Sequence, residues 1–248
     1  MGFKIFLRNL FQQATGLFIY KNLPFGINPL NDIQRRFPNH ELKIFFDVGA
    51  NVGEYVDHIQ KFFPNAEISC FEPISTTFEI LKSHVQNQNV NCYQIGLGSE
   101  NTEMEISIDQ NSRSDMNSLV NVVRSDNPDL VSETIQIRTL DDFCSEHSVT
   151  SIDYLKIDTE GFDLEVLKGA RNFIQNQYVS FVEVEVSMNP ENTFHVDFVE
   201  VKHYMENFGY RLFGIYDQMY EWQTGTPILR RTNPVFVSEL VYKKKSKA

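Results

Sequence analysis

Residues 43–64, KIFFDVGANVGEYVDHIQKFFP, decide the fold. The apolar run 43–50 has the length of a strand, and Gly49 and Gly53 then frame a tight turn. Beyond it Val56, Ile59, Gln60 and Phe63 fall on one helical face, and Pro64 stops that helix. Strand, glycine turn and helix make the opening unit of a parallel sheet covered by helices. Working outward, AEISCFEP (66–73) reads as a second strand. Ser75 is the expected N-cap of a helix carrying Phe78, Leu81 and Val85, and NVNCYQIGLG (89–98) is a third strand. SIDYLKID (151–158) has the apolar content of a buried strand, and residues 163–173 form a helix with Leu164, Val166, Leu167 and Ala170 inward. YVSFVEVEV (178–186) is another strand, a helix over 196–208 ends at Gly209, and RLFGIYD and PVFVSELVY (234–242) close the chain as strands.

The rhythm breaks between residues 99 and 140. Alternation in MEISID (104–109) and TIQIRTL (134–140) predicts two further strands around a polar segment rich in Ser and Asn, long enough to shape a pocket or cover one. At the N-terminus Phe3, Phe6, Leu7, Leu10, Phe11 and Ala14 recur at helical spacing. Such a stripe predicts docking on its own domain or on a second copy, with a membrane interface as the alternative. The expected organisation is an N-terminal helical extension, residues 1–40, followed by one α/β domain, residues 41–248.

The 248 residues carry 22 Lys+Arg against 33 Asp+Glu, a formal charge of −11. An acidic surface repels a phosphate backbone, which argues against nucleic acid as a partner. Cys70, Cys92 and Cys144 are an odd set without C-x-x-C spacing, so neither a disulfide framework nor a zinc ribbon is expected, and the compartment reads as cytoplasmic. No apolar stretch reaches the roughly 20 residues that span a bilayer. His40, His58, His84, His147, His195 and His203 show no metal-type pairing, and no metal site is assigned.

The chemistry gathers at strand ends. Ligands of open α/β sheets bind at the carboxyl ends of strands, where glycine lets them approach the backbone. Asp47, Gly49, Asn51 and Gly53 occupy the first such turn, in G-x-x-x-G rather than the dinucleotide G-x-G-x-x-G spacing. A turn with an acid and an amide suits a ligand bearing an amine and a carboxylate, as S-adenosylmethionine does. Glu72, ending the second strand, is spaced to accept hydrogen bonds from ribose hydroxyls of either an adenosylmethionine or a nicotinamide dinucleotide. Asp158 and Glu160 reach the same edge before Gly161, as candidates for taking a proton, positioning a hydroxyl or holding a cation. Glu183 and Glu185 add to the acidic rim, Glu185 lying nearer the strand end. The turn around Gly96 is a candidate adenine contact, Asn117 and Ser118 are candidate acceptor contacts, and His195 is a candidate acceptor-side acid or base. Tyr216, Tyr220 and Trp222 offer faces for a sugar, although packing under the last hairpin is the expected use.

DVGANVG, FEP, TLDDF (139–143), YLKIDTEGFDLEVLKGA and VEVEVSMNP followed by FGYRLFGIYD, in this order, resemble the FkbM-type S-adenosylmethionine-dependent methyltransferases over roughly residues 43–240. The resemblance implies a class I methyltransferase fold, with a seven-stranded, mostly parallel sheet whose last strand is antiparallel. It implies methylation of a hydroxyl oxygen on a sugar, glycan or related acceptor. Carried across, Asp47, Gly49, Asn51 and Gly53 would line the methionine end of the cofactor and Glu72 its ribose, with Asp158, Glu160 and Gly161 beside the methyl group. Asp163 stands where the family often has Glu, and Glu160 where many members have Gln, which favours Asp158 over Glu160 as the base. The first 40 residues lie outside the resemblance. A nicotinamide oxidoreductase and a non-catalytic module on the same fold are the competing readings.

Overall fold

The computed structural model describes residues 3–18, 20–109, 130–222 and 224–245. Asn117 and Ser118 lie outside the described residues.

The quoted segment folds as read. β1 (Ile44–Val48) leads through the glycine turn into α3 (Glu54–Phe62). β2 (Glu67–Phe71), α4 (Ser75–His84) and β3 (Val90–Tyr93) complete the first half. In the second half come β7 (Ile152–Ile157), α6 (Asp163–Gly169), α7 (Arg171–Gln175) and β8 (Val179–Val184). A short β9 (Val186–Ser187), α8 (Phe198–Asn207), β10 (Arg211–Tyr220) and β11 (Leu229–Val237) follow. The main sheet runs β10-β11-β8-β7-β1-β2-β3, with β9 added against β11. β1, β2, β3, β7 and β8 are parallel, and β11 is antiparallel to both β8 and β10. This is the class I methyltransferase order, whose strand sequence reverses at β1 and leaves a crevice at its carboxyl ends.

Strand alternation divides the core between two faces. Phe46, Val48, Leu155, Ile157, Val182 and Val184 pack on one side with α6 to α8. Phe45, Tyr154 and Phe181 face the other, under Val56 and Ile59 of α3 and under Leu30 and Ile33 of α2 (Pro29–Arg36). At about 25 cal/mol per Å2 of apolar surface, these wholly buried rows supply the main drive for folding. A second sheet of β4 (Gly96–Leu97), β6 (Leu130–Arg138) and β5 (Thr102–Asp109) packs Ile106, Ile108, Ile135 and Ile137 against Ile74. The run 89–98 is therefore two strands in two sheets. β6 stops at Arg138, and Thr139 caps α5 (Leu140–Glu146) by accepting a hydrogen bond from the Asp142 backbone N–H.

Other expectations are corrected. The cap of α4 is Ile74, without a side-chain bond, while the Ser75 N–H donates to Glu133. The helix over 163–173 breaks at Ala170, whose N–H is shared between carbonyls of Val166 and Leu167. The last strand ends at Val237, because α9 (Glu239–Lys245) turns Val241 into the core. Tyr216 is buried under the hairpin, its hydroxyl donating to Asp32, but Tyr220 and Trp222 are exposed. In α1 (Phe3–Thr15), Phe6, Leu7, Leu10 and Phe11 are exposed rather than docked on their own domain. No described helix is long and apolar enough to cross a membrane.

Candidate functional site

The register of β1, β7 and β8 sets Asp47 beside Lys156 and Lys156 beside Glu183. Registered neighbours in a parallel sheet share a face, so three ionisable side chains form a buried row on the α3 side. Lys156 Nζ lies 3.6 Å from Asp47 Oδ1 and 3.0 Å from Asp158 Oδ2. Glu183 accepts hydrogen bonds of 2.6 Å from both the Tyr55 and the Tyr154 hydroxyl. Burial pulls the lysine pKa down, but the carboxylates of Asp158, Asp47 and Glu183 outweigh it and hold Lys156 above the ordinary range. Burial raises Asp47 against the opposing pull of Lys156, and pushes Glu183 up to about 7 against the two tyrosines.

A cavity of about 830 Å3 opens at these strand ends, within the usual size of a small-molecule site. Gly49, Asn51, Glu72, Gly96, Asp158 and Glu160 line it, whereas Asp47 and Gly53 do not. Asp47 lies behind Lys156, fully buried, and neither carboxylate oxygen has a hydrogen-bond donor among the described residues. Gly53 packs against α4, where a Cβ would stand 2.9 Å from Leu81 Cδ1. Gly49 has φ +79°, and a Cβ there would come within 1.9 Å of the Asp158 carbonyl oxygen. Its glycine is required by the close passage of the turn over the end of β7.

Glu72 is fixed by backbone. Its Oε2 accepts from the Asn51 N–H at 3.1 Å and its Oε1 from the Ile74 N–H at 3.0 Å. Asn51 adopts φ 47°, and its own Oδ1 is buried without a donor among the described residues. Burial raises the Glu72 pKa to about 7, beyond what the two N–H groups pull back. The turn after β7 is fastened similarly: buried Asp163 accepts from the N–H of Thr159 at 3.1 Å and of Gly161 at 3.0 Å. Burial pushes Asp163 to about 6.

Sequence reasoning placed the acids and missed several neighbours. Tyr55, Asp217, Arg231 and the start of α2 also line the cavity. Lys156 was legible only as a residue facing away from Leu155 and Ile157. His195, whose spacing from the acids carried no metal signature, has its Nε2 3.2 Å from Glu160 Oε2 and 2.9 Å from Glu185 Oε2.

The sheet order, with an acid-rimmed crevice at its carboxyl ends, is that of the class I methyltransferase fold. The Methyltransferase FkbM domain matches residues 47–212, well over half of the chain, and the chain belongs to that family. No curated protein matches. Among solved structures, one described as LepI in complex with SAM is 10% identical, with a TM-score of 0.47, over 89% of this chain and 49% of that one. The methyltransferase domain of bacterial CtHen1-C is 13% identical over 84% of this chain and 96% of that one, with a TM-score of 0.44. TrmK of M. capricolum, with S-adenosylhomocysteine, is 10% identical over 88% and 69%, with a TM-score of 0.46. The chain thus spans about half the length of that LepI chain.

Proposed function

We propose that the chain moves the methyl group of S-adenosylmethionine to a hydroxyl oxygen of a sugar, glycan or related natural-product acceptor, with residues 41–248 as the catalytic domain and 1–40 as an extension. The observation that carries this reading is the charge of the cavity. Glu54, Glu72, Asp158, Glu160 and Asp217 line it against Lys156 and Arg231, five carboxylates to two fixed cations. Such a wall favours a cationic ligand and opposes a pyrophosphate, which leaves the nicotinamide alternative without support.

The residues present fit the cofactor. When bound, it supplies an activated methyl carbon on a sulfonium. Glu72, immobilised by Asn51 and Ile74, has lone pairs left for ribose hydroxyls. Asn51 Oδ1, on the cavity wall, is a buried acceptor lacking a donor among the described residues, which suits the ammonium end of a methionine. Gly49 and Gly53 shape the turn, and Gly96 and Leu97 line the part of the cavity assigned to adenine, the glycine packing against Ile137. Lys156 engages Asp158 Oδ2, so Oδ1 is the oxygen that receives the acceptor proton, while Glu160 positions the hydroxyl. Most of the acceleration then comes from holding that oxygen in line with the methyl carbon. An anionic rim fits a neutral polyol better than a phosphorylated acceptor. The same reading has the enzyme cytoplasmic and pairs two copies through α1.

Labelled S-adenosylmethionine incubated with pools of neutral glycans, lipids and phosphorylated sugars tests it, with calorimetry for cofactor binding. Transfer to a hydroxyl of a neutral pool is expected. Absence of cofactor binding would overturn the reading, and binding without turnover on any pool would identify a non-catalytic module.

A further inference from the structure

The Glu160, Glu185 and His195 side chains belong to three separate segments, yet one ligand atom from each lies within 4.8 Å of the other two. We infer that these three residues bind a divalent first-row metal ion, of the manganese, cobalt or zinc kind, at the wall of the cavity.

The distances suit coordination. An ion about 2.1 Å from each of two donors, at angles between square and tetrahedral, holds those donors about 3.0–3.4 Å apart. The His195 Nε2 separations of 3.2 Å from Glu160 and 2.9 Å from Glu185 are close to this range. The same separations suit a hydrogen-bonded ion pair, so the state of the carboxylates decides between the two. Glu185 is 1% exposed; Arg231 pairs with its Oε1, but Oε2 has no hydrogen-bond donor in good geometry among the described residues, although Nε2 is so near. A buried carboxylate oxygen without a donor is unfavourable even where its other oxygen is paired. A cation shared with His195 removes the deficit.

The surroundings are built to orient the imidazole. Ser187 N–H donates to the Val196 carbonyl, tying the loop after β9 back to the strand. Buried Asn192 then faces His195 Nδ1, with its Oδ1 at 3.3 Å and its Nδ2 at 2.9 Å. Coordination of an ion through Nε2 needs the proton on Nδ1, and Asn192 Oδ1 is the acceptor within reach of it. Arg231 pairs with the other oxygen of Glu185, Oε1, and leaves Oε2 to the cluster. Two carboxylates and one guanidinium sum to −1, so a divalent ion leaves one positive charge for an anionic or polarised oxygen in its remaining positions. One imidazole and two carboxylates suit manganese, cobalt or zinc, with magnesium disfavoured by the nitrogen ligand. Glu160 lines the cavity, which puts the site within reach of an acceptor. Metal binding stands without the proposed function; use of the ion to hold an acceptor hydroxyl rests on it.

The test is titration of metal-free full-length protein with Mn2+, followed by loss of the free-ion paramagnetic resonance signal, and with Co2+, followed by its visible bands. One equivalent binds with a cobalt spectrum that includes a nitrogen ligand, and the melting temperature rises with metal concentration. Glu185→Gln and His195→Ala abolish the site, whereas Asn192→Ala, which touches no ligand atom, weakens it by roughly 10–100-fold. Failure of the wild-type chain to bind either ion, or binding indifferent to all three changes in folded variants, would overturn the inference. Stoichiometric metal binding with no effect of chelator on methyl transfer would leave the site standing and refute only its role toward the acceptor.

Discussion

Lys156 Nζ sits 3.6 Å from Asp47 Oδ1 on the neighbouring strand and 3.0 Å from Asp158 Oδ2, beyond the end of its own. One ammonium thus joins a carboxylate sealed in the core to one that lines the cavity. Removing it strands Asp47, which is 0% exposed. Lys156→Met should therefore destabilise the fold by about 3–5 kcal/mol, the usual cost of breaking a buried pair from one side. Urea unfolding of the variant measures this, and a loss under about 1 kcal/mol would mean that Asp47 is satisfied some other way.

Glu72 should make cofactor affinity depend on pH. Its folded pKa, raised by burial to about 7, exceeds the unfolded value near 4.3. The folded chain holds this proton more tightly, so the group's contribution to stability falls as pH rises through that window and then levels off. Ribose hydroxyls donating to the carboxylate favour its ionised form, and binding must expel the proton below pH 7. S-adenosylmethionine affinity should weaken by up to about tenfold per unit as the solution is acidified from about pH 7. Calorimetry across the range should show this in the wild type and a flatter profile in Glu72→Gln.

Asp163 predicts a coupling between stability and turn geometry. Its carboxylate receives the N–H groups of Thr159 and Gly161, which flank Glu160, itself at φ 53°. Asp163→Ala orphans two donors at a part-buried turn, at a cost of about 1–3 kcal/mol each in the limit of full desolvation. Thermal melting should register the loss, and amide exchange at residues 159–161 should quicken more than in β7. Equal protection in the variant would show that the turn is held by packing alone.

The acids were legible in the sequence because a strand's last residue and its place in a parallel order follow from local pattern. Asp47, Glu72 and Asp158 needed nothing more. Lys156 could be assigned a face, but its partners depend on register between strands far apart in the chain, which no local pattern encodes. His195 illustrates the same limit, since it meets Glu160 and Glu185 only because Ser187 and Val196 pair across a loop. Aromaticity alone predicts packing for Trp222, whereas its ring lies exposed beside Arg230, with the guanidinium 4.8 Å from the ring centroid. The start of α9 reads equally as strand, because the apolar residues of ELVY satisfy either period over so short a run.

Asp158 and Glu160 should separate kinetically. Asp158→Asn removes the oxygen proposed to take the acceptor proton and also weakens the anchor of Lys156, so kcat at saturating cofactor should fall by roughly 10^2–10^4-fold. Glu160→Gln keeps the shape and hydrogen-bonding reach of the side chain and matches the residue that many family members carry. Its effect should fall mainly on the acceptor KM, with kcat reduced far less. Initial rates against acceptor concentration, at fixed saturating S-adenosylmethionine, distinguish the two. A kcat lost in Glu160→Gln and retained in Asp158→Asn would exchange their roles, making the cavity-lining glutamate the proton acceptor and reducing Asp158 to a tether for the lysine beside it.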